Sequence, residues 1–266
     1  MKRLLSYNPN LKQSWMLFIF VMLCGLIIRA VMSVIMQYTS AEVQKWNLLF
    51  THLLEIAVMV LIISRLGKHS NYVPVTRQRQ SSLLWFLLVP FILSIGLMTE
   101  PLTMWIPMPD TIKQQFADLF QRNLPSFLVI VIIGPIYEEW LYRGIILKGL
   151  LTHYSPEKSI VWSAVIFSVV HANPWQSVSA FFFALAIGWI YLRTRSLWYC
   201  VFMHVINNAA GFLLLFLTNI QLDTTFADIA GGYYIYPVAL FVGVLATIGI
   251  NKIISPRTMA DKRSLL

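Results

Sequence analysis

Residues 126–148 read SFLVIVIIGPIYEEWLYRGIILK, an apolar run with two adjacent glutamates near its centre. A helix of about 20 mostly apolar residues can cross the hydrocarbon core of a bilayer. Runs of similar character lie on both sides of this one. The sequence predicts eight spans in all, at 14–36, 47–65, 82–99, 126–148, 159–173, 177–192, 196–218 and 232–253.

The composition points to the same class of protein. Of the 266 residues, 58% are hydrophobic and 12% are charged, and the mean hydropathy is +0.70. A soluble domain carries about 25% charged residues, so this chain is neither disordered nor an ordinary soluble enzyme. We expect one all-α domain over residues 1–266, a polytopic membrane helix bundle of about eight transmembrane helices.

The distribution of basic residues predicts the orientation. With the N-terminus inside, the inner segments carry 15 of the 20 Lys and Arg residues and the outer segments carry three. An excess of Lys and Arg marks cytoplasmic loops, so both termini are predicted to be cytoplasmic. The net charge of +9 forms no continuous basic stripe, so no nucleic-acid partner is expected. The compact chain and short loops favour a bacterial cytoplasmic membrane, with the endoplasmic reticulum membrane as the alternative.

Two features outside the central spans carry further expectations. Arg29 and Glu55 lie at equal depth on consecutive spans, which predicts a buried ion pair that fixes packing. Between Asp110 and Asn123, apolar residues recur at helical spacing opposite polar ones, which predicts an amphipathic helix in the interface. The short fifth and sixth spans are expected to form a tight hairpin that does not fully cross.

Four polar residues from three spans are predicted to meet inside the membrane. Glu138, His171, His204 and Asn208 lie about 10, 13, 8 and 12 residues from the cytoplasmic ends of their spans. At a rise of about 1.5 Å per residue, this places them roughly 12–20 Å into the bilayer. A convergence of costly polar groups at one depth indicates a functional site.

The spacing within each span suggests a role for each residue. Adjacent helical residues point about 100° apart, and Glu139 and Arg143 are four apart, so these two are predicted to pair. Glu138 is then free to act as a general base. His171 could hold a water against Glu138, share its proton or bind a metal.

His204 and Asn208 are also four residues apart, so both can face one point and stabilise an oxyanion. A carboxylate that activates water, together with paired hydrogen-bond donors, suffices to hydrolyse an amide. A single His or Asn in a membrane helix more often forms an interhelical hydrogen bond. The convergence of all four residues favours catalysis over that structural role. Packing is expected for the neighbouring side chains Tyr137, Tyr142, Phe167 and Asn207.

These motifs resemble a known family. The pattern Glu138-Glu139-x-x-x-Arg143, then Phe167-x-x-x-His171, then His204-x-x-x-Asn208 is similar to that of the CAAX protease and bacteriocin-processing family of intramembrane endopeptidases. The resemblance covers about 126–218 and implies an eight-helix membrane endopeptidase. Eukaryotic members remove the last three residues of prenylated CAAX proteins. Many bacterial members are linked to bacteriocin maturation, self-immunity or regulated processing.

The resemblance also implies roles. Glu138 with His171 would activate water, His204 and Asn208 would form the oxyanion site, Glu139 and Arg143 would be the supporting pair, and Phe167 would be part of the pocket. The expected partner is a peptide or protein substrate, possibly lipidated, that is membrane-anchored or approaches from the cytoplasm. The short fifth and sixth spans could open the cavity to either side.

No cofactor is assigned with certainty, and two mechanisms remain open. Glu138, His171 and His204 could supply three ligands to Zn²⁺ and leave a position for water. The His-Glu-x-x-His signature is absent, so we favour a metal-independent glutamate mechanism over a zinc metalloprotease. The rival functions are a proton-coupled transporter and a non-catalytic membrane scaffold or immunity factor.

Overall fold

The structure is a computed structural model that describes residues 7–67, 81–218 and 224–254. These ranges contain helices and loops, without a strand. The α-helices are α1 (Leu11–Met36), α2 (Ala41–Gln44), α3 (Asn47–Leu66), α4 (Ser82–Thr99), α5 (Asp110–Leu119), α6 (Leu124–Phe127), α7 (Gly134–Leu141), α8 (Lys148–His153), α9 (Pro156–Val169), α10 (Pro174–Thr194), α11 (Leu197–Thr218), α12 (Phe226–Ala230) and α13 (Ile235–Ile253).

The predicted class, an all-α polytopic membrane bundle, is confirmed. Seven helices in the described ranges are long and apolar enough to cross a bilayer. They are α1, α3, α4 with its 3₁₀ extension, a composite helix over Leu124–His153, α10, α11 and α13. The cytoplasmic location of the termini stays a prediction. Several basic residues that support it lie outside the described residues, among them Lys2, Arg3, Lys68, Arg77, Arg79, Arg257, Lys262 and Arg263.

The predicted span 159–173 differs from the structure. Helix α9 has only 14 residues, so it extends about 21 Å, which is less than the roughly 30 Å hydrocarbon core. The chain leaves the helix through Val170 and His171, and Ala172 takes a left-handed conformation with φ of 53°. Helix α10 then begins at Pro174, earlier than predicted, and packs along α9. The predicted hairpin is therefore present, with one short arm and one arm long enough to cross.

The composite helix is not a regular α-helix. Leu128–Ile133 and Tyr142–Leu147 are π-helical segments on either side of α7. In the first segment, the carbonyl oxygen of Val129 lies so close to Gly134 that a Cβ there would be 2.6 Å from it. Only glycine fits this approach. Single π-turns within α-helices occur frequently at functional sites.

The composite helix lies at the centre of the bundle. Half of the residues in its most apolar stretch are buried, whereas 6% are buried in the corresponding stretch of α1. Helices α9, α10 and α11 pack around it, α4 packs on α10, α11 and α13, and α1 lies on the periphery against α3. The exposed apolar faces of α1 and α13 are suited to contact lipid. The two adjacent glutamates therefore lie in the most buried of the seven helices that could cross a bilayer in the described ranges.

The two peripheral predictions have different outcomes. Helix α5 is the predicted amphipathic helix, with a half-buried apolar face, although it ends at Leu119. The Arg29–Glu55 pair is also present, with Arg29 Nε 2.8 Å from Glu55 Oε1. The expectation that the pair is buried is wrong for Arg29, whose side chain is 67% exposed. The reason is the peripheral position of α1, which leaves most of this helix uncovered.

Candidate active site

A buried charge cluster forms the base of the site. The side chains of Glu139 and Arg143 are 0% and 1% exposed, and Arg143 Nη1 donates to Glu139 Oε1 at 2.8 Å. His204 Nδ1 donates to the same carboxylate oxygen, also at 2.8 Å. The predicted pairing of Glu139 with Arg143 is therefore present. Glu139 also orients the His204 ring from the opposite helix, which the sequence did not predict.

The second glutamate points away from this cluster. Glu138 is 31% exposed, and its Oε2 lies 3.8 Å from His204 Nε2. The two adjacent carboxylates thus meet the two nitrogens of one imidazole, Glu139 from the protein core and Glu138 from the cavity. This divergence agrees with the 100° step between neighbouring helical residues. Glu138 keeps a free oxygen for water or substrate.

A large cavity brings the predicted catalytic residues together. It has a volume of about 880 Å³, and its walls include Glu138, Phe167, His171, His204 and Asn208. Cavities of roughly 300–1,000 Å³ are typical ligand sites. The convergence predicted from helix depth is therefore seen in the fold.

The cavity opens at one end of the bundle. Residues of the α1–α3 connection, the end of α5 and the segment after it line its mouth, among them Gln44, Lys45, Asp118 and Gln121. This end lies opposite the α8–α9 and α10–α11 connections. Under the predicted orientation it faces away from the cytoplasm, so the expected approach from the cytoplasm is not the direct route into this cavity.

His171 is held by its own turn. Its Nδ1 donates to the carbonyl of Phe167 at 3.1 Å, which leaves Nε2 as an acceptor. Asn173 Nδ2 donates to the carbonyl of His171 at 2.8 Å, while the Asn173 side-chain oxygen caps α10 at the amide of Gln176. Sequence reasoning missed Asn173. An Asn before Pro174 at a helix start is a capping signal that could have identified it.

Asn208 is positioned by two neighbours. Its Nδ2 donates to the carbonyl of Ile130 at 2.9 Å, within the first π-helical segment. Its Oδ1 accepts from Asn207 Nδ2 at 3.3 Å. Because the side-chain oxygen is engaged, the amide nitrogen is the group with a further hydrogen to donate.

Aromatic rings connect the two histidines. The ring of Phe167 lies edge to face with His171 at 5.3 Å and with His204 at 6.0 Å between centroids. The Arg143 guanidinium carbon lies 4.7 Å from the centre of the same ring. Phe167 thus contacts the supporting charge cluster and both histidines, as well as lining the cavity.

The residues proposed as zinc ligands do not form a three-ligand set here. His204 Nδ1 is engaged by Glu139 and His171 Nδ1 by a backbone carbonyl, so Nε2 is the nitrogen of each ring left for the cavity. Across the three described ranges, no group of three His, Cys, Asp or Glu side chains is arranged to hold a metal ion. A mechanism without a metal ion stays a prediction.

A second polar cluster faces the same cavity. His52 Nδ1 lies 3.4 Å from Glu55 Oε2, on the carboxylate that also binds Arg29. All three side chains line the large cavity together with Glu138. The ring of His52 lies edge to face with Tyr137, at 5.9 Å between centroids. Sequence reasoning missed His52, although its position three residues before Glu55 places both on one helix face.

The fold and the site define a membrane helix bundle with a large cavity lined in part by carboxylate, imidazole and amide groups. Residues 120–210 match the family model described as "Type II CAAX prenyl endopeptidase Rce1-like". This match confirms the family resemblance of the motifs, over about a third of the chain. The chain is also 30% identical over 95 residues to the "Putative membrane peptidase YdiL" of Bacillus subtilis (strain 168).

The alignment with the Bacillus protein covers 36% of this chain and 39% of that relative. No solved structure matches the chain. Both similarities support a membrane peptidase in general. The family-model match covers the segment that carries Glu138, His171, His204 and Asn208.

Proposed function

We propose that this protein is an intramembrane endopeptidase that hydrolyses a peptide bond with water activated by Glu138. The observation that carries the proposal is the position of Glu138, which opens into a large cavity while the buried Glu139–Arg143 pair supports it. The family model and the Bacillus relative support the same reaction class.

The first chemical step is attack by water. Glu138 takes a proton from water, and the oxygen bonds to the carbonyl carbon of the scissile peptide. His171 Nε2 faces the same cavity as an acceptor and holds this water against Glu138. The carbon–nitrogen bond then breaks, and the proton on Glu138 passes to the leaving amine.

The oxyanion is stabilised from α11. His204 Nε2 and the Asn208 amide both lie on the cavity wall and supply the two donors. When His204 carries protons on both nitrogens, the charges of Glu138, Glu139, Arg143 and His204 sum to zero. A neutral set of this kind is favourable in a low-dielectric interior, where an unbalanced charge is costly.

The substrate is a peptide or a segment of a membrane-associated protein. The cavity mouth lies at one end of the bundle, so a peptide segment can enter from the membrane surface at that end. Lipidated substrates, bacteriocin-related processing and a bacterial cytoplasmic membrane belong to this proposal, and the bacterial relative supports the last of these. A glutamate mechanism without a metal ion also belongs to this proposal, because no three-ligand group lies among the described residues.

The test uses purified protein in nanodiscs. Wild type, Glu138→Gln and His204→Ala are incubated with a peptide library that includes lipidated members, and products are identified by mass spectrometry. Glu157→Gln, in the exposed first turn of α9, is the matched control. We expect cleavage by wild type and control only. A wild type that cuts nothing, or variants that cut equally, would contradict the proposal and favour a scaffold or a transporter.

A further inference from the structure

A smaller cavity of about 130 Å³ lies between α1, α3 and the composite helix. We call it the α1 chamber. Glu138 lines both this chamber and the large cavity, so the two spaces share the carboxylate that activates water. The other polar groups of the chamber wall are Cys24, Arg29, His52, Glu55, Tyr137 and Tyr142.

Two buried polar atoms of the chamber wall are unpaired. Among the described residues, His52 Nε2 and Tyr137 Oη are buried and have no hydrogen-bond partner. Glu55 lies 3.4 Å from His52 Nδ1, and this position holds the proton on that nitrogen and leaves Nε2 as an acceptor. Tyr137 Oη can both donate and accept. Since a buried polar group without a partner is costly, these atoms point to a polar ligand.

The chamber has the size and polarity for water. A buried water needs about 10–15 Å³ of cavity volume and two to four polar partners. The volume of 130 Å³ accommodates several waters, and Glu55, Glu138, His52 and Tyr137 supply the partners. An apolar ligand would leave those groups unpaired.

The proposed reaction requires a supply of water at Glu138. Each hydrolysis consumes one water, and a peptide in the large cavity excludes bulk water from Glu138. The surrounding lipid cannot supply this water. We propose that the α1 chamber holds an ordered water cluster that supplies Glu138 with the water for hydrolysis. The catalytic part rests on the proposed function, whereas the presence of the water cluster does not.

The water cluster is tested by X-ray hydroxyl-radical footprinting of the wild-type protein in nanodiscs. Radicals form from water and oxidise side chains that water touches. Tyr142 is 4% exposed and lines the chamber, while Tyr191 is 2% exposed and lines neither cavity. Ordered water in contact with Tyr142 should make its oxidation at least about fivefold faster than that of Tyr191. Equal rates would overturn the proposal.

The supply role is tested by filling the chamber. Cys24→Phe places a large ring in it, and Leu23→Phe makes the same aromatic addition on a lipid-facing side chain that is 53% exposed. We expect Cys24→Phe alone to slow Tyr142 oxidation and to lower kcat by about tenfold or more, with KM unchanged.

The outcomes separate the two proposals. A Cys24→Phe protein with slow Tyr142 oxidation and normal kcat would overturn the supply role. If wild type cleaves no peptide, the proposed protease function fails, and footprinting of Tyr142 against Tyr191 still decides whether the chamber holds water.

Discussion

Removal of Arg143 should destabilise the protein strongly, because it leaves a buried carboxylate without its cation. Glu139 is 0% exposed and is paired at 2.8 Å with Arg143, which is itself 1% exposed. Breaking a buried pair from one side costs about 3–5 kcal/mol. Arg143→Met also loses the guanidinium contact with the Phe167 ring, at 4.7 Å.

The expected effect is a lower melting temperature. For a protein of this size, 1 kcal/mol corresponds to about 2–4 °C, so Arg143→Met should melt roughly 6–20 °C below wild type. The assay is intrinsic tryptophan fluorescence during heating in nanodiscs. Arg65→Met, at the exposed end of α3, is the matched control and should change stability by less than about 0.5 kcal/mol.

A double variant distinguishes buried charge from lost packing. Glu139→Gln combined with Arg143→Met removes both charges, so it should recover most of the lost melting temperature. If the double variant melts no higher than Arg143→Met alone, the charge argument is refuted. The charge argument is also refuted if Arg143→Met and the Arg65→Met control have the same melting temperature.

Three further perturbations test other parts of the structure. Gly134→Ala places a Cβ 2.6 Å from a backbone carbonyl and should cost about 1–3 kcal/mol, while Gly211→Ala meets nothing within 4 Å and should melt like wild type or higher. Equal melting of the two would refute the close approach. Asn173→Ala should cost about 1 kcal/mol as a lost cap and also lower kcat; Asn123→Ala, the cap of α6, should cost stability alone. Chelators should leave peptide cleavage intact, and stoichiometric zinc by mass spectrometry, with activity lost on its removal, would contradict this.

The sequence predicts those features of the structure that depend only on the properties of a single helix. The spans follow from apolar length, and the placement of Glu138, His171, His204 and Asn208 in one cavity follows from their depth on three helices. The divergence of the two glutamates follows from helix geometry alone. These features need no knowledge of neighbouring helices.

The remainder depends on contacts between helices. The π-helical segments around α7 cannot be read from an apolar run, because such a run is compatible with a π-turn as well as with an α-turn. The end of α9 depends on a left-handed turn at Ala172, a residue type without a strong preference for it. The exposure of Arg29 follows from the peripheral position of α1, which equal depth on two spans does not reveal.

The short helix α9 has a consequence for the surrounding bilayer. A 14-residue helix that starts at one surface ends about 9 Å short of the other side of a 30 Å core. Lipids in contact with α9 meet a shorter apolar surface than those next to α10, and such hydrophobic mismatch costs a fraction of a kcal/mol for each ångström. Acyl-chain length therefore becomes a physical variable that acts on the hairpin carrying His171.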